Sequence, residues 1–226
     1  MLAKGRTGWT GLLTAGLLAC VMGTAGCQSN PVLRLHGENA YNDGQYDLAR
    51  QKFTKAVNQK SSDWKAHYYL GLIALKQGQP LEAQLSLEKA LSVRDSHIIT
   101  PDILDALAQS LLDQGKHENL AAMLQQATDR YGTTRDYLRQ ATFLGKSGDV
   151  DGAKIAFQKA IRFARHDDPS PFIKLADFYD SLGAGAEALM ALRQAYYITP
   201  EDPVLADRIR QHGMVPGPTI AIEPQR

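Results

Sequence analysis

From Asn30 onwards the apolar positions recur at helical spacing, and small and bulky residues follow one another in a fixed order. GQYDLARQKFTKA (Gly44 to Ala56) returns as GQPLEAQLSLEKA (Gly78 to Ala90) and again as GDVDGAKIAFQKA (Gly148 to Ala160). Setting Gly44 at position 15 of a unit of about 34 residues places Gly37 at 8, Ala49 at 20, Phe53 at 24 and Ala56 at 27. One period on, the same frame holds Leu70, Gly71, Gly78, Ala83, Leu87 and Ala90. After an insertion at Ile98 to Thr100, a third copy carries Leu107, Ala108, Leu111, Gly115, Leu124 and Ala127. The fourth has Ala141, Leu144, Gly148, Ala153, Phe157 and Ala160; the fifth has Phe172, Leu175, Ala176, Tyr179, Gly183, Ala188, Leu192, Ala195 and Pro200. Each copy predicts two antiparallel helices. Small side chains let them approach, the residue at 24 fills the gap, and the Gly at 15 ends the first helix in a left-handed conformation. Helix B of a pair then begins at Tyr46, Pro80 or Val150, and Pro suits a first turn because its missing N–H is not needed there.

This pattern resembles the tetratricopeptide repeat, over about Asn30 to Asp202. The resemblance implies an all-α fold: a right-handed α-solenoid of about five helix pairs closed by a C-terminal capping helix. Three features depart from it. His36 stands where position 7 is usually Leu, Leu120 replaces the small residue at 20, and most copies lack the closing Pro. A single pair cannot bury its own apolar face, so each copy depends on its neighbours and the array needs caps. EDPVLADRIRQH, Glu201 to His212, supplies one, with Leu205 and Ile209 at helical spacing. Beyond Gly213 the text becomes MVPGPTIAIEPQR, where Pro216, Gly217, Pro218 and Pro224 argue against a helix. The expected division is a signal over 1–26, a linker over 27–32, the solenoid with its cap over 33–213 and a disordered tail over 214–226. TIAI lying along a surface or folding back into a groove is the alternative for the tail.

The N-terminus reads differently. Lys4 and Arg6 precede an uncharged run rich in Leu, Ala and Gly, from Gly11 to Gly23, and then Thr24, Ala25, Gly26 and Cys27. A basic start, a short apolar core and small residues before a cut mark a secretory signal. The run is shorter than the roughly 20 apolar residues that a spanning helix needs. Thr-Ala-Gly-Cys resembles the lipobox of bacterial lipoproteins, which implies lipidation of Cys27 as the mature N-terminus. Leu17 to Cys20 is a second match, but it leaves a short apolar region and an apolar mature start. Two or three acyl chains on Cys27 would meet the two-anchor requirement for stable attachment. Gln28 after the Cys implies an outer-membrane destination facing the periplasm.

Composition narrows the function only by exclusion. A formal charge of +1 and 44 % apolar residues fit a globular chain without the basic excess of a nucleic-acid binder. Loss of the signal removes Cys20 together with Lys4 and Arg6, and acylation occupies Cys27, so neither disulfides nor Cys-based chemistry are expected. LGKSG at Leu144 to Gly148 ends like a phosphate-binding loop, but the slot for its first Gly holds Gln140 and the Gly is the repeat's turn. RHDD at Arg165 to Asp168 offers metal-ligand types, yet consecutive residues seldom converge on one ion. The six His are scattered and no G-x-S-x-G elbow occurs. No enzyme, cofactor or metal is therefore expected.

Recognition remains. The resemblance implies a concave face lined by the first helix of each pair. In this sequence those slots hold Arg34, Glu38 and Tyr41; Lys65, Tyr68, Leu72 and Leu75; Asp102, Asp105, Gln109 and Leu112; Arg135, Leu138 and Thr142; and Ile173, Asp177 and Asp180. Charged residues there also fit a merely solvated face. Apolar ones on a face expected to be wet indicate a binding surface. Bases in the first two copies against acids in the third and fifth suggest a polar gradient, fitting a peptide or protein partner of mixed charge with apolar anchors. The clamp for a C-terminal carboxylate known in the family is not matched by Arg34, Glu38 and Tyr69. Lipid-anchored members of the family include pilotins for pili and secretins, adaptors for cell-wall enzymes and outer-membrane assembly accessories. The expectation is a scaffold at the envelope, leaning to pilus or secretion-system assembly, with self-association through repeat edges or TIAI as a rival.

Overall fold

The structure is a computed structural model that describes residues 29–93 and 100–224. The signal, Cys27 and residues 94–99, which include most of the insertion, lie outside it. The described residues form helices α1 (Asn30–Asn42), α2 (Tyr46–Gln59), α3 (Trp64–Lys76), α4 (Pro80–Val93), α5 (Thr100–Asp113), α6 (His117–Tyr131), α7 (Thr134–Lys146), α8 (Val150–Phe163), α9 (Ser170–Ser181), α10 (Gly185–Ile198) and α11 (Pro203–Gln211). No strand occurs among them, and none of the helices is long and apolar enough to cross a membrane. Consecutive helices pair as α1/α2 through α9/α10, each pair stacks on the next, and the chain is an α-solenoid of such pairs.

The turns follow from glycine chemistry. After α1, the Gly44 N–H donates to the Tyr41 carbonyl (3.0 Å) and the Gln45 N–H to the Ala40 carbonyl (2.8 Å). This pair of bonds needs a left-handed residue, and Gly44 has φ +74°. The same pattern closes α3 at Gly78, with φ +68°. Close approach of the paired helices depends on missing atoms. A Cβ on Gly71 would lie 2.6 Å from Leu87 Cγ, and one on Gly37 would lie 2.8 Å from the Phe53 ring. Phe53, Leu87, Leu124, Phe157 and Leu192 are buried almost completely at position 24. Each contributes about 1.5–3 kcal/mol by leaving water.

The third pair is different. Leu120 is fully buried where the other copies put Ala49, Ala83, Ala153 and Ala188. A larger residue at the contact holds the helices apart, and α5 and α6 touch far less extensively than the other pairs do. A cleft of about 690 Å³ opens there, floored by Leu104, Leu107 and Leu111 and rimmed by Glu88, Glu118 and Gln126.

Both ends differ from expectation. Residues 30–32 belong to α1, not to a linker, and the Asn30 amide donates to the Ala56 carbonyl at 2.8 Å. At the other end α11 caps the stack with Leu205 and Ile209 buried. The expected disorder of the tail does not describe residues 214–224. Met214, Ile220 and Ala221 pack on the α9–α11 core, and a single 3-10 turn forms at Pro218–Ile220. Arg193 Nε donates to the Ile220 carbonyl (2.6 Å), and the Ile222 N–H donates back to the Arg193 carbonyl (3.3 Å). The prolines forbid a helix but leave backbone groups free to pair with α10, which is how the segment docks.

Candidate functional site

The first helices of the first three pairs, α1, α3 and α5, frame a groove of about 530 Å³. Tyr41, Tyr68, Leu72, Leu75, Lys76, Asp102, Asp105, Ala106, Gln109 and Asp113 line it. Helical spacing is what gathers them. Tyr68, Leu72 and Leu75 stand three and four residues apart on α3, as do Asp102, Asp105, Gln109 and Asp113 on α5. The expected groove residues Tyr41, Tyr68, Leu72, Leu75, Asp102, Asp105 and Gln109 are therefore brought together.

Other expected positions lie outside that lining. Leu112 and Leu138 are half-buried against the main core, and Ile173 packs on the α9–α11 core, so much of each apolar surface is spent between repeats. Thr142 is half-buried on α7. Arg34 approaches Asp63 (3.5 Å), the residue that caps α3 by accepting from the Ala66 N–H, and Lys65 pairs with Glu38 at 2.8 Å. Asp177 and Asp180 are held by Arg208 of the capping helix at 2.9 and 3.1 Å. The polar gradient inferred from sequence is thus largely cancelled, because most of its charges find partners one repeat away.

Sequence reasoning missed three side chains. Lys76 and Asp113 follow Leu72 and Gln109 by four residues, so continuing the same helical face would have found them. Arg139 carried no signal. It is buried on the inner side of α7 and binds Asp136 (2.7 Å), Asp105 (2.5 Å) and the Pro101 carbonyl (3.0 Å). Arg135 bridges Asp102 (2.5 Å) and Asp105 (2.8 Å) from the same helix. Burial opposes the Arg135 charge, but hydrogen bonds to Asp105 and Asp102 outweigh it and raise its pKa.

The aromatic wall is equally connected. Tyr69 stacks on Phe53 at 4.8 Å, and Tyr41 meets Tyr69 edge-on at 5.3 Å. Tyr68 is pushed up to about 12, first by burial and then by the negative charge of Asp102, with Tyr69, Tyr41 and Asp105 adding to it. Burial also raises Tyr41, helped by Tyr46 and Tyr69, and raises Tyr69, helped by Glu38. The two motifs with enzymatic echoes have structural places. Gly148 closes α7 with φ +92°, and RHDD forms the turn from α8 to α9, where Arg165 pairs with Asp167 at 2.7 Å.

The tetratricopeptide-repeat family model matches residues 34–96. No curated protein sequence matches the chain. Among solved structures, TTC0263, a thermophilic TPR protein of Thermus thermophilus, is 20% identical and superposes with a TM-score of 0.57, over 81% of this chain and 98% of that one. YrrB, described as a TPR protein with an unusual peptide-binding site, is also 20% identical, with a TM-score of 0.51 over 81% of this chain and 92% of its own. MamA of Desulfovibrio magneticus, from residue 41 onwards, is 13% identical and has a TM-score of 0.57 over 77% of this chain and 97% of that one. Residues 34–96 thus carry tetratricopeptide repeats, and the whole stack of helix pairs has the fold of tetratricopeptide-repeat proteins.

Proposed function

We propose that this protein is a lipid-anchored scaffold that holds a protein or peptide partner in the groove between α1, α3 and α5. The observation that carries the reading is the half-exposed apolar and aromatic strip of Tyr41, Tyr68, Leu72 and Leu75, set within a polar border of Lys76, Asp102, Asp105, Gln109 and Asp113. Such a strip is the signature of a recognition surface. Its shape is an open trough spanning three repeats, which suits an extended or helical segment better than a small substrate. The anchor rests on Thr24-Ala25-Gly26-Cys27 and on the basic and apolar residues before it. On this reading Cys27 carries the lipid, the solenoid faces the periplasm from the outer membrane, and pilus or secretion-system assembly is the pathway favoured. Service to cell-wall enzymes is the alternative role of the same groove.

Self-association is the second reading, and an observation favours it. At the same place on three outer helices, Leu85, Ile155 and Met190 are 61%, 55% and 57% exposed. Light scattering of the purified chain separates a monomeric adaptor from a self-assembling one.

One experiment tests the main reading. Partners are captured from membranes with the wild-type chain, with Leu72→Glu, and with Cys27→Ser. The groove variant is expected to lose the partners while circular dichroism shows it still helical and melting cooperatively, and the Cys27 variant is expected to leave the membrane fraction. Recovery of the same partners by the groove variant, or tight membrane association of Cys27→Ser, would overturn the corresponding half.

A further inference from the structure

The solenoid has two ends, and only the second is closed by a capping helix among the described residues. In the second copy, Ala66 and Ile73 of α3 are buried in one cluster with the small residues of α2, and Tyr69 stacks back on Phe53. The same places on α1 belong to Val32, Asn39 and Leu35, and all three are exposed, Leu35 at 57%. On α6 the positions that look towards α4 across the cleft are Asn119, Met123 and Gln126. Their counterparts on α2 are Leu48, Lys52 and Lys55, and no described helix precedes this pair to cover them. Lys60 ends α2 beside the start of α1, where the Asn30 amide reaches the Ala56 carbonyl. None of these lysines has an ion-pair partner among the described residues. The nearby carboxylates point elsewhere. Glu38 pairs with Lys65 of α3, Asp47 accepts from Gln77 beyond α3, Asp63 is buried at the start of α3, and Asp43 lies at the far end of α1. This end face therefore joins exposed apolar side chains, Val32, Leu35 and Leu48, to unpaired cations.

Its place in the chain indicates what covers it. Asn30 opens α1 only three residues after Cys27, and a chain extends at most about 3.6 Å per residue, so the first turn lies within roughly 11 Å of Cys27. Lysines are drawn to an anionic lipid surface over about a Debye length, near 10 Å. Exposed apolar side chains gain by entering the boundary between headgroups and acyl chains. We propose that the end face of α1 and α2 docks on anionic phospholipid, so that the anchored chain stands on its first repeat and the stack projects away from the bilayer. The inference rests on the Cys27 anchor reading above. The face is small, and it orients an anchored chain rather than holding a free one. A second copy stacked there as a preceding repeat would have to bury Lys52, Lys55 and Asn39, whereas lipid headgroups leave them hydrated. The end that such a copy would offer is already closed by α11 and the docked tail.

The test uses the mature chain purified from membranes in detergent, its intact mass reporting the acyl chains on Cys27. A fluorescent thiol label is placed at Leu35→Cys, at Leu48→Cys as a second site on the same face, and at Ile155→Cys, 55% exposed on α8, as reference. After thermal melts establish folding, the chains are reconstituted into vesicles of phosphatidylcholine alone or mixed with phosphatidylglycerol, each containing a headgroup nitroxide lipid as quencher. On the anionic vesicles the labels at 35 and 48 should be quenched at least threefold more than the label at 155. Lys52→Gln with Lys55→Gln, or added salt, should lower that quenching towards the level on phosphatidylcholine. Equal quenching at all three sites, or quenching indifferent to the lysines and to salt, overturns the docking while the anchor stands. A label at 35 shielded from aqueous iodide but untouched by the lipid quencher also overturns it, in favour of a second copy or a protein partner. If the mass shows no acyl chain on Cys27, the anchor reading falls and the docking falls with it.

Discussion

Arg139 ties the fourth repeat to the third through Asp105 and the Pro101 carbonyl. Its side chain is 1% exposed and its partner Asp136 3%, so each neutralises a charge that would otherwise be stranded away from water. Arg139→Ala is expected to cost about 3–5 kcal/mol, because Asp136 stays buried with its Thr133 hydrogen bonds but without a counter-charge. Arg210→Ala, which breaks only the exposed pair with Asp207, should cost little. Denaturant midpoints of the two variants check the contrast, and equal losses would refute it. Tyr68 gives a pH-dependent counterpart. Its pKa is raised from 10.0 to about 12 in the folded chain, so the folded state holds the phenolic proton more tightly than the unfolded one. That contribution is complete below pH 10 and is lost as pH rises towards 12. Absorbance titration at alkaline pH should find the latest of the raised phenols missing in Tyr68→Phe, and the variant should lose stability less steeply over that interval. These residue-scale features were only partly legible. Tyr68 stood out as an aromatic on a face expected to be wet. Arg139 could not, because the partners that make its burial tolerable come from α5 and from the first turn of its own helix.

Between elements, missing atoms decide how closely helices pack. Ala is a better helix former than Gly by about 0.8–1.0 kcal/mol, so Gly71→Ala ought to stabilise an isolated α3. In the solenoid the new methyl would lie 2.6 Å from Leu87 Cγ and 2.8 Å from its Cδ2. Overpacking of that kind costs about 1–3 kcal/mol and should outweigh the propensity gain. Gly185→Ala is the opposite case, since its methyl would meet only the His212 ring at 3.8 Å. Thermal melts should move down for the first and hold or rise for the second. The helix frame was legible because it is dictated by such contacts: α2, α4 and α8 begin at Tyr46, Pro80 and Val150, as the repeat placed them. Leu120 was visible as an anomaly, but its effect was not. A sequence states that a residue is larger without stating which of two helices gives way. The groove was legible by face, and its charge balance was not, because Arg135 and Arg208 meet acids contributed by neighbouring units.

At the scale of the molecule, the two ends of the stack are closed by different means. The capping helix was legible from Leu205 and Ile209. The docking of the tail was not, since it depends on Arg193 turning both its Nε and its carbonyl towards Ile220 and Ile222. Truncation after Gly213 is expected to lower the thermal midpoint, by about 2–4 °C for each kcal/mol removed. The Ile222 amide should be protected from hydrogen exchange in the full chain. An unchanged midpoint together with a freely exchanging amide would reject the docked tail. The open third pair has a further consequence, in mechanics. A solenoid stacked only on its neighbours is a spring, and a spring extends where its coils grip least. Pulled between its two ends, this chain should open at α5 against α6 before any other of its helix pairs does. Force would then widen the Leu104, Leu107 and Leu111 cleft while the tighter pairs on either side keep their shape.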